Sequence, residues 1–161
     1  MGTERDTVTF VCTGNTCRSP MAEALVRAAL TRRGDALGHL RVASFGLAAG
    51  EGAPASDHSV RAMSRIGLDL APHRSRPLSQ ADLDRSAVVF VMTGHHLDVL
   101  RSRFKDLPGH LLRLRDVLPD GVSREIPDPF GGGVRDYEDC RDSMVEAVPA
   151  LIDFLRSHFA R

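Results

Sequence analysis

The chain carries no net charge. Its 21 basic residues are matched by 21 acidic ones, so there is no overall basic field to recruit nucleic acid. It has no apolar run long enough to span a bilayer, and the opening Met-Gly-Thr-Glu-Arg-Asp is polar and of mixed charge, unlike a secretory leader. Neither nucleic acid nor a membrane is therefore an expected partner, and the cytoplasm is the expected location. Cysteine is scarce: three residues, an odd number, do not make a disulfide framework. Lysine occurs once, at position 105, among the 21 basic residues, which marks a compositional bias more than a function. There is no internal repeat, low-complexity tract or linker. What is present, 161 residues of which 42% are apolar, is enough for one domain over residues 1–161 with a substantial core.

Strand and helix patterns alternate. Val8 to Cys12, Leu40 to Phe45, Ala87 to Met92 and a weaker Leu111 to Leu114 read as strands. The third is a continuous apolar run of the kind found in parallel strands covered on both faces. Between them, Met21, Leu25 and Ala28 form a helical stripe that ends before Gly34. Val60, Met63 and Ile66 form a second, and Leu97, Leu100 and Phe104 a third. A longer final stripe contains Tyr137, Met144, Val148, Leu151 and Leu155, with Pro149 predicting a kink or two abutting helices. The fold class expected is α/β, a doubly wound parallel sheet whose ligands bind beyond the carboxyl ends of its strands.

At the first such end stand Val11-Cys12-Thr13-Gly14-Asn15-Thr16-Cys17-Arg18-Ser19-Pro20. A cysteine followed six positions later by arginine is a weak signal by itself in a chain so rich in arginine. The neighbours strengthen it. Gly14 and Asn15 are the residue types that most readily take left-handed backbone, so the loop can curl. Curling turns successive N–H groups inward, and the helix beginning near Ser19 adds its unpaired N–H groups and positive dipole end. A dianionic phosphoryl group suits that site. Arg18 offers a planar fork for two of its oxygens. Cys12 lies among donors that favour a thiolate, with the Ser19 hydroxyl placed to donate to it. Cys17, five residues from Cys12, is either close enough to form a protective, reversible disulfide with it or simply a small buried residue.

Downstream, Ile126-Pro127-Asp128-Pro129-Phe130-Gly131-Gly132-Gly133 is a stiff turn followed by a flexible run. Prolines on both sides fix the direction of Asp128. A carboxyl group held in this way can give a proton to a group leaving phosphorus and then activate water. Without the cysteine loop, the same residue would read as an ordinary turn former.

Together with Ser44-Phe45-Gly46, His73-Arg74-Ser75-Arg76 and Asp128-Pro129-Phe130, the residues from Val11 to Glu23 resemble the low-molecular-weight protein tyrosine phosphatase family, nearly end to end. The resemblance implies a four-stranded parallel sheet flanked by helices, with a phosphate-binding loop after the first strand. By position it implies Cys12 as nucleophile, with Arg18 and the amides of Thr13, Gly14, Asn15, Thr16, Cys17, Arg18 and Ser19 binding the phosphoryl group. Asp128 then becomes the acid and later the base. Asn15, Ser19, Ser44 and His73 become the hydrogen-bonded support of the loop. Neither metal nor cofactor is implied, and the implied partner is a phosphorylated protein.

Within the family, Thr16 stands where tyrosine phosphatases usually carry a bulky aliphatic residue, and Met92-Thr93 replaces their Met-Asp. Thr16-Cys17, Met92-Thr93 followed by His96, and Asp128-Pro129-Phe130-Gly131-Gly132 are similar to the bacterial protein-arginine-phosphatase branch. Phosphoarginine is therefore the expected substrate, with Thr16 and Phe130 setting specificity and phosphotyrosine the alternative. An arsenate reductase would need relay cysteines, and residues 18 to 139 contain none. A phosphocarrier would not need Asp128, and a phosphate-sensing module would not need the Cys12 thiol. His95-His96 reads as a solvent-facing pair at a helix start, Cys140 as structural or incidental, and His58 and His110 carry no signal.

Overall fold

β-Branched and apolar residues build four strands: Thr7–Cys12 (β1), Arg41–Gly46 (β2), Ser86–Val91 (β3) and the short Leu111–Arg113 (β4). The structure, a computed structural model, describes residues 4–33 and 36–161. The strands pair in parallel in the order β2-β1-β3-β4. Every residue of β1 and β3 is buried, because helices cover both faces and no polar alternation is needed.

The helices are Arg18–Arg33 (α1), Asp57–Ser64 (α2), Gln80–Arg85 (α3), Gly94–Arg103 (α4) and Val134–Phe159 (α5). Val8, Phe10 and Cys12 of β1 pack with Met21, Leu25, Met144 and Leu151 on one face of the sheet. On the other face Val11, Val89 and Val91 meet Leu83 of α3 and Leu100 of α4. The sheet is thus doubly wound. Phe10 and Phe90 stack at 5.5 Å between ring centroids across the two central strands. The register pairs Cys12 with Gly46 and Val11 with Val91, which brings the carboxyl ends of three strands together. From β1 the chain crosses first to one neighbour and then to the other, so the crevice of such a sheet opens at the end of β1.

Two sequence expectations are corrected, and one element went unread. Of the kink or two abutting helices expected at Pro149, the second is excluded, because α5 is one continuous helix through that position. The carbonyl orphaned by the missing N–H is that of Val145, and both residues lie on the exposed side of the helix, where water can satisfy it. Ile66 is not part of a buried stripe: α2 ends at Ser64, and Ile66 is exposed in the turn that follows. α3 was not legible as an apolar stripe, since six residues are too few for one. Its start is marked instead by a capping box, in which Ser79 Oγ accepts from the Asp82 amide and the Asp82 carboxylate accepts from the Ser79 amide. Gly34, where the first stripe was expected to end, lies outside the described residues. Among those residues no helix is long and apolar enough to cross a membrane.

Candidate active site

The loop between β1 and α1 curls because one residue in it takes left-handed backbone. That residue is Asn15, at φ 56°; Gly14, expected to share the role, does not lie at positive φ. Asn15 holds the conformation by using its whole amide. Its Nδ2 donates to Ser19 Oγ at 2.8 Å and to Ser44 Oγ at 2.9 Å, while its Oδ1 accepts from the Arg76 amide at 2.9 Å. Its backbone carbonyl accepts from His73 Nε2 at 2.7 Å, which places the imidazole hydrogen on Nε2. Asn15, Ser19 and Ser44 are fully buried. The four residues expected to support the loop thus form one connected network.

Cys12, 2% exposed, sits at the floor. Its sulfur lies 3.0 Å from Ser19 Oγ and accepts from the Asn15 amide at 3.3 Å. Ser19 Oγ accepts from Asn15, and its one hydrogen has two acceptors within reach, the Cys12 sulfur at 3.0 Å and the more distant Phe45 carbonyl at 3.5 Å. Arg18, 4% exposed, donates to the Ile126 carbonyl at 3.0 Å and lies 3.7 Å from Asp128 Oδ2. Ile126 is tied in turn to the end of β3, its amide donating to the Met92 carbonyl at 3.0 Å. The Asp128 side chain is half exposed, and its Oδ1 accepts from the Phe130 amide at 3.0 Å, an Asx turn that aims the carboxylate. Phe130 is 78% exposed beside it. Pro127, Phe130 and Asp139 help to line a groove of about 390 Å³ next to Asp128.

Thr13 is exposed and Thr16 half-buried at the rim. Among the described residues, the one polar contact of the Thr16 hydroxyl is Cys17 Sγ at 3.8 Å. Cys17 is buried and faces Tyr137 Oη at 3.4 Å and Ser56 Oγ at 3.6 Å; all three cysteines are free thiols. Burial first, and then Cys17, pushes the Tyr137 hydroxyl up to about 12, and burial pushes the Cys140 thiol up to about 12 as well. Among the described residues no group of three or more His, Cys, Asp or Glu is placed to hold a metal ion.

Two residues that the sequence named only within motif matches, with no role at the loop, turn out to touch it. Gly46 ends β2 where a Cβ would meet the Thr13 carbonyl at 2.7 Å and the Asn15 amide at 3.0 Å, so the loop rests directly on its Cα. In the sequence it stands as the last residue of the Ser44-Phe45-Gly46 match, at a strand end, without showing the contact. His96 was expected to face solvent, and only His95 does. The His96 ring is 2% exposed, bonds Thr13 Oγ1 through Nε2 at 3.0 Å, and accepts from the Met92 amide at Nδ1 at 3.3 Å. Burial, helped by Arg18 and His95 and opposed by Asp128, lowers its pKa to about 4. The branch resemblance singles out His96, but the doublet by itself does not say which ring turns inward, because that depends on how α4 docks against β3.

Residues 7–160 match the family described as low molecular weight phosphotyrosine protein phosphatase. A protein-arginine-phosphatase of Geobacillus stearothermophilus is 35% identical over 93% of this chain and 96% of its own. A low molecular weight protein-tyrosine-phosphatase of Streptomyces coelicolor is 39% identical over 92% and 93%. The solved arginine phosphatase from Geobacillus stearothermophilus superposes with a TM-score of 0.82 at 34% identity, covering 94% of this chain and 93% of that one. The strand order, the cysteine-bearing loop after β1 and these matches together make the chain a member of the low molecular weight phosphotyrosine protein phosphatase family, the cysteine-dependent protein phosphatases.

Proposed function

We propose that the chain is a protein-arginine-phosphatase that works through a phosphocysteine. The observation that carries the reading is the Cys12 sulfur, held at 3.0 Å by Ser19 Oγ and at 3.3 Å by the Asn15 amide, with the buried Arg18 facing the half-exposed Asp128 at 3.7 Å. In the first step the Cys12 thiolate attacks phosphorus and the P–N bond breaks. The departing guanidine nitrogen takes the proton of the Asp128 carboxyl group. Arg18 and the amides from Thr13 to Ser19 stabilise the equatorial phosphoryl oxygens. In the second step the Asp128 carboxylate takes a proton from water as that water attacks phosphorus, the S–P bond breaks, and inorganic phosphate leaves. Asn15, Ser19, Ser44 and His73 hold the loop through both steps. The substrate is a phosphorylated protein, the reaction uses no metal or cofactor, and a working thiolate suits the reducing cytoplasm.

Phosphoarginine is favoured over phosphotyrosine because the rim is polar. Thr16 offers an oxygen to a guanidinium N–H where an aryl ring would want an apolar wall, and Phe130 flanks the entry. The arginine phosphatase relatives support this. The 39% identity to a tyrosine phosphatase favours the second reading, a phosphotyrosine enzyme. Turnover of phosphoarginine and phosphotyrosine by the parent and by Thr16→Ile separates the two. The expected result is a parent preference for phosphoarginine that Thr16→Ile moves toward phosphotyrosine by about 1–3 kcal/mol, the cost of one lost buried polar partner. A parent that prefers phosphotyrosine overturns the assignment.

A further inference from the structure

We propose that His96 is a positioning residue that holds the Thr13 hydroxyl at the mouth of the phosphate loop, where Thr13 contacts the substrate's leaving group. The proposal rests on the phosphatase reading above and adds to it His96 and the side chain of Thr13.

The ring's hydrogen bonds fix its tautomer. The Met92 amide can only donate, so Nδ1 carries no hydrogen; Nε2 carries it and donates to Thr13 Oγ1 at 3.0 Å. Having accepted that bond, Thr13 Oγ1 keeps its own hydrogen and a second lone pair. Thr13 directly follows the nucleophile and is exposed, so both remain available to whatever occupies the mouth. A leaving nitrogen with N–H groups can donate to that lone pair, and a phenolic oxygen can accept the hydrogen.

The ring itself is pinned to the sheet. Thr93 Oγ1 caps α4 by accepting from the His96 amide, and the Glu125 carboxylate accepts from the Gly94 amide two residues earlier. Met92 directly follows β3, so the imidazole links a rigid element to a loop side chain that would otherwise rotate freely. Burial first, then Arg18 from α1 and His95 from α4 itself, keeps the ring neutral against the opposing pull of Asp128 from the facing turn. Neutrality matters, because an imidazolium would have hydrogens on both nitrogens, would lose the Met92 bond and would place a second cation beside Arg18.

The test measures kcat and KM for the parent, Thr13→Val, His96→Leu, His96→Gln and the Thr13→Val/His96→Leu double variant, on the substrate the parent turns over best. His95→Gln serves as a control. Thr13→Val and His96→Leu should each raise KM by roughly three- to tenfold, the worth of one hydrogen bond, with a smaller change in kcat. The double variant should be no worse than either single one, since both remove the same interaction. His96→Gln can donate to Thr13 and accept from Met92 at once, and should recover most of the KM. In the ¹⁵N-labelled parent the His96 ring should show the Nε2–H tautomer between pH 6 and pH 8. Additive KM effects, an Nδ1–H tautomer, or a His96→Leu change confined to thermal stability would overturn the proposal. If His96→Leu does not fold, Thr13→Val, His96→Gln and the tautomer decide it. A parent preference for phosphotyrosine would remove the phosphoarginine assignment while leaving this cycle to stand or fall by itself.

Discussion

Asn15 uses every polar atom it has on the loop: two donors, one side-chain acceptor and the backbone carbonyl all have partners. A non-glycine residue at φ 56° costs about 1–2 kcal/mol, and these bonds offset that cost. Ser19 links this network to the chemistry, because it accepts from Asn15 and can donate to Cys12. Hydrogen bonds to charged groups contribute about 1.5–3 kcal/mol. Ser19→Ala should therefore lower kcat by about 10- to 150-fold, with a much smaller effect on KM; steady-state kinetics that show kcat within twofold of the parent would sink the role given to Ser19. The residue types were readable in the sequence, but the partners were not. Nothing local indicates that an asparagine at position 15 meets a serine at 44 and an amide at 76.

At the scale of elements, two glycines are required for different reasons. Gly46 ends β2 with backbone atoms of the phosphate loop within 3.0 Å of where a Cβ would lie, and backbone cannot swing aside. Gly46→Ala should destabilise the protein by about 1–3 kcal/mol, the usual cost of overpacking, and should also impair turnover because the atoms displaced belong to the loop. Gly67 follows α2 at φ 82° with open space around it, and the Leu68 amide reaches back to the Met63 carbonyl to close the helix. Gly67→Ala should cost about 1 kcal/mol from conformation alone and leave kcat/KM untouched. Urea unfolding and kinetics on the pair check the contrast, and equal effects on activity would refute it. The helix stop at Gly67 follows from residue type, whereas the close approach at Gly46 appears only once β2 lies beside β1.

For the whole molecule, the buried imidazole makes stability depend on pH. His96 titrates at about 4 in the folded protein, against 6.5 for an ordinary histidine. Between those values the unfolded chain binds the extra proton, so stability rises with pH across the window and is lost as pH falls from about 6.5 toward 4. His96→Gln removes this contribution. The urea midpoint of the parent should therefore fall more steeply than that of His96→Gln between pH 6.5 and pH 4.5, and parallel slopes would count against a buried neutral ring.

The alternation of strands and helices, the parallel sheet and the cysteine loop were set by the sequence alone, because they rest on apolar periodicity and on residues adjacent in the chain. Asp128 was legible only in combination, since flanking prolines mark a rigid carboxylate and the cysteine loop is what gave it a reason to matter. The unbroken α5, the inward turn of His96 and the contact of Gly46 with the loop were decided only by tertiary structure. In each case the outcome depends on what packs against the residue: water beside Pro149, the end of β3 beside His96, and the loop backbone beside Gly46. Local sequence carries no record of those distant neighbours.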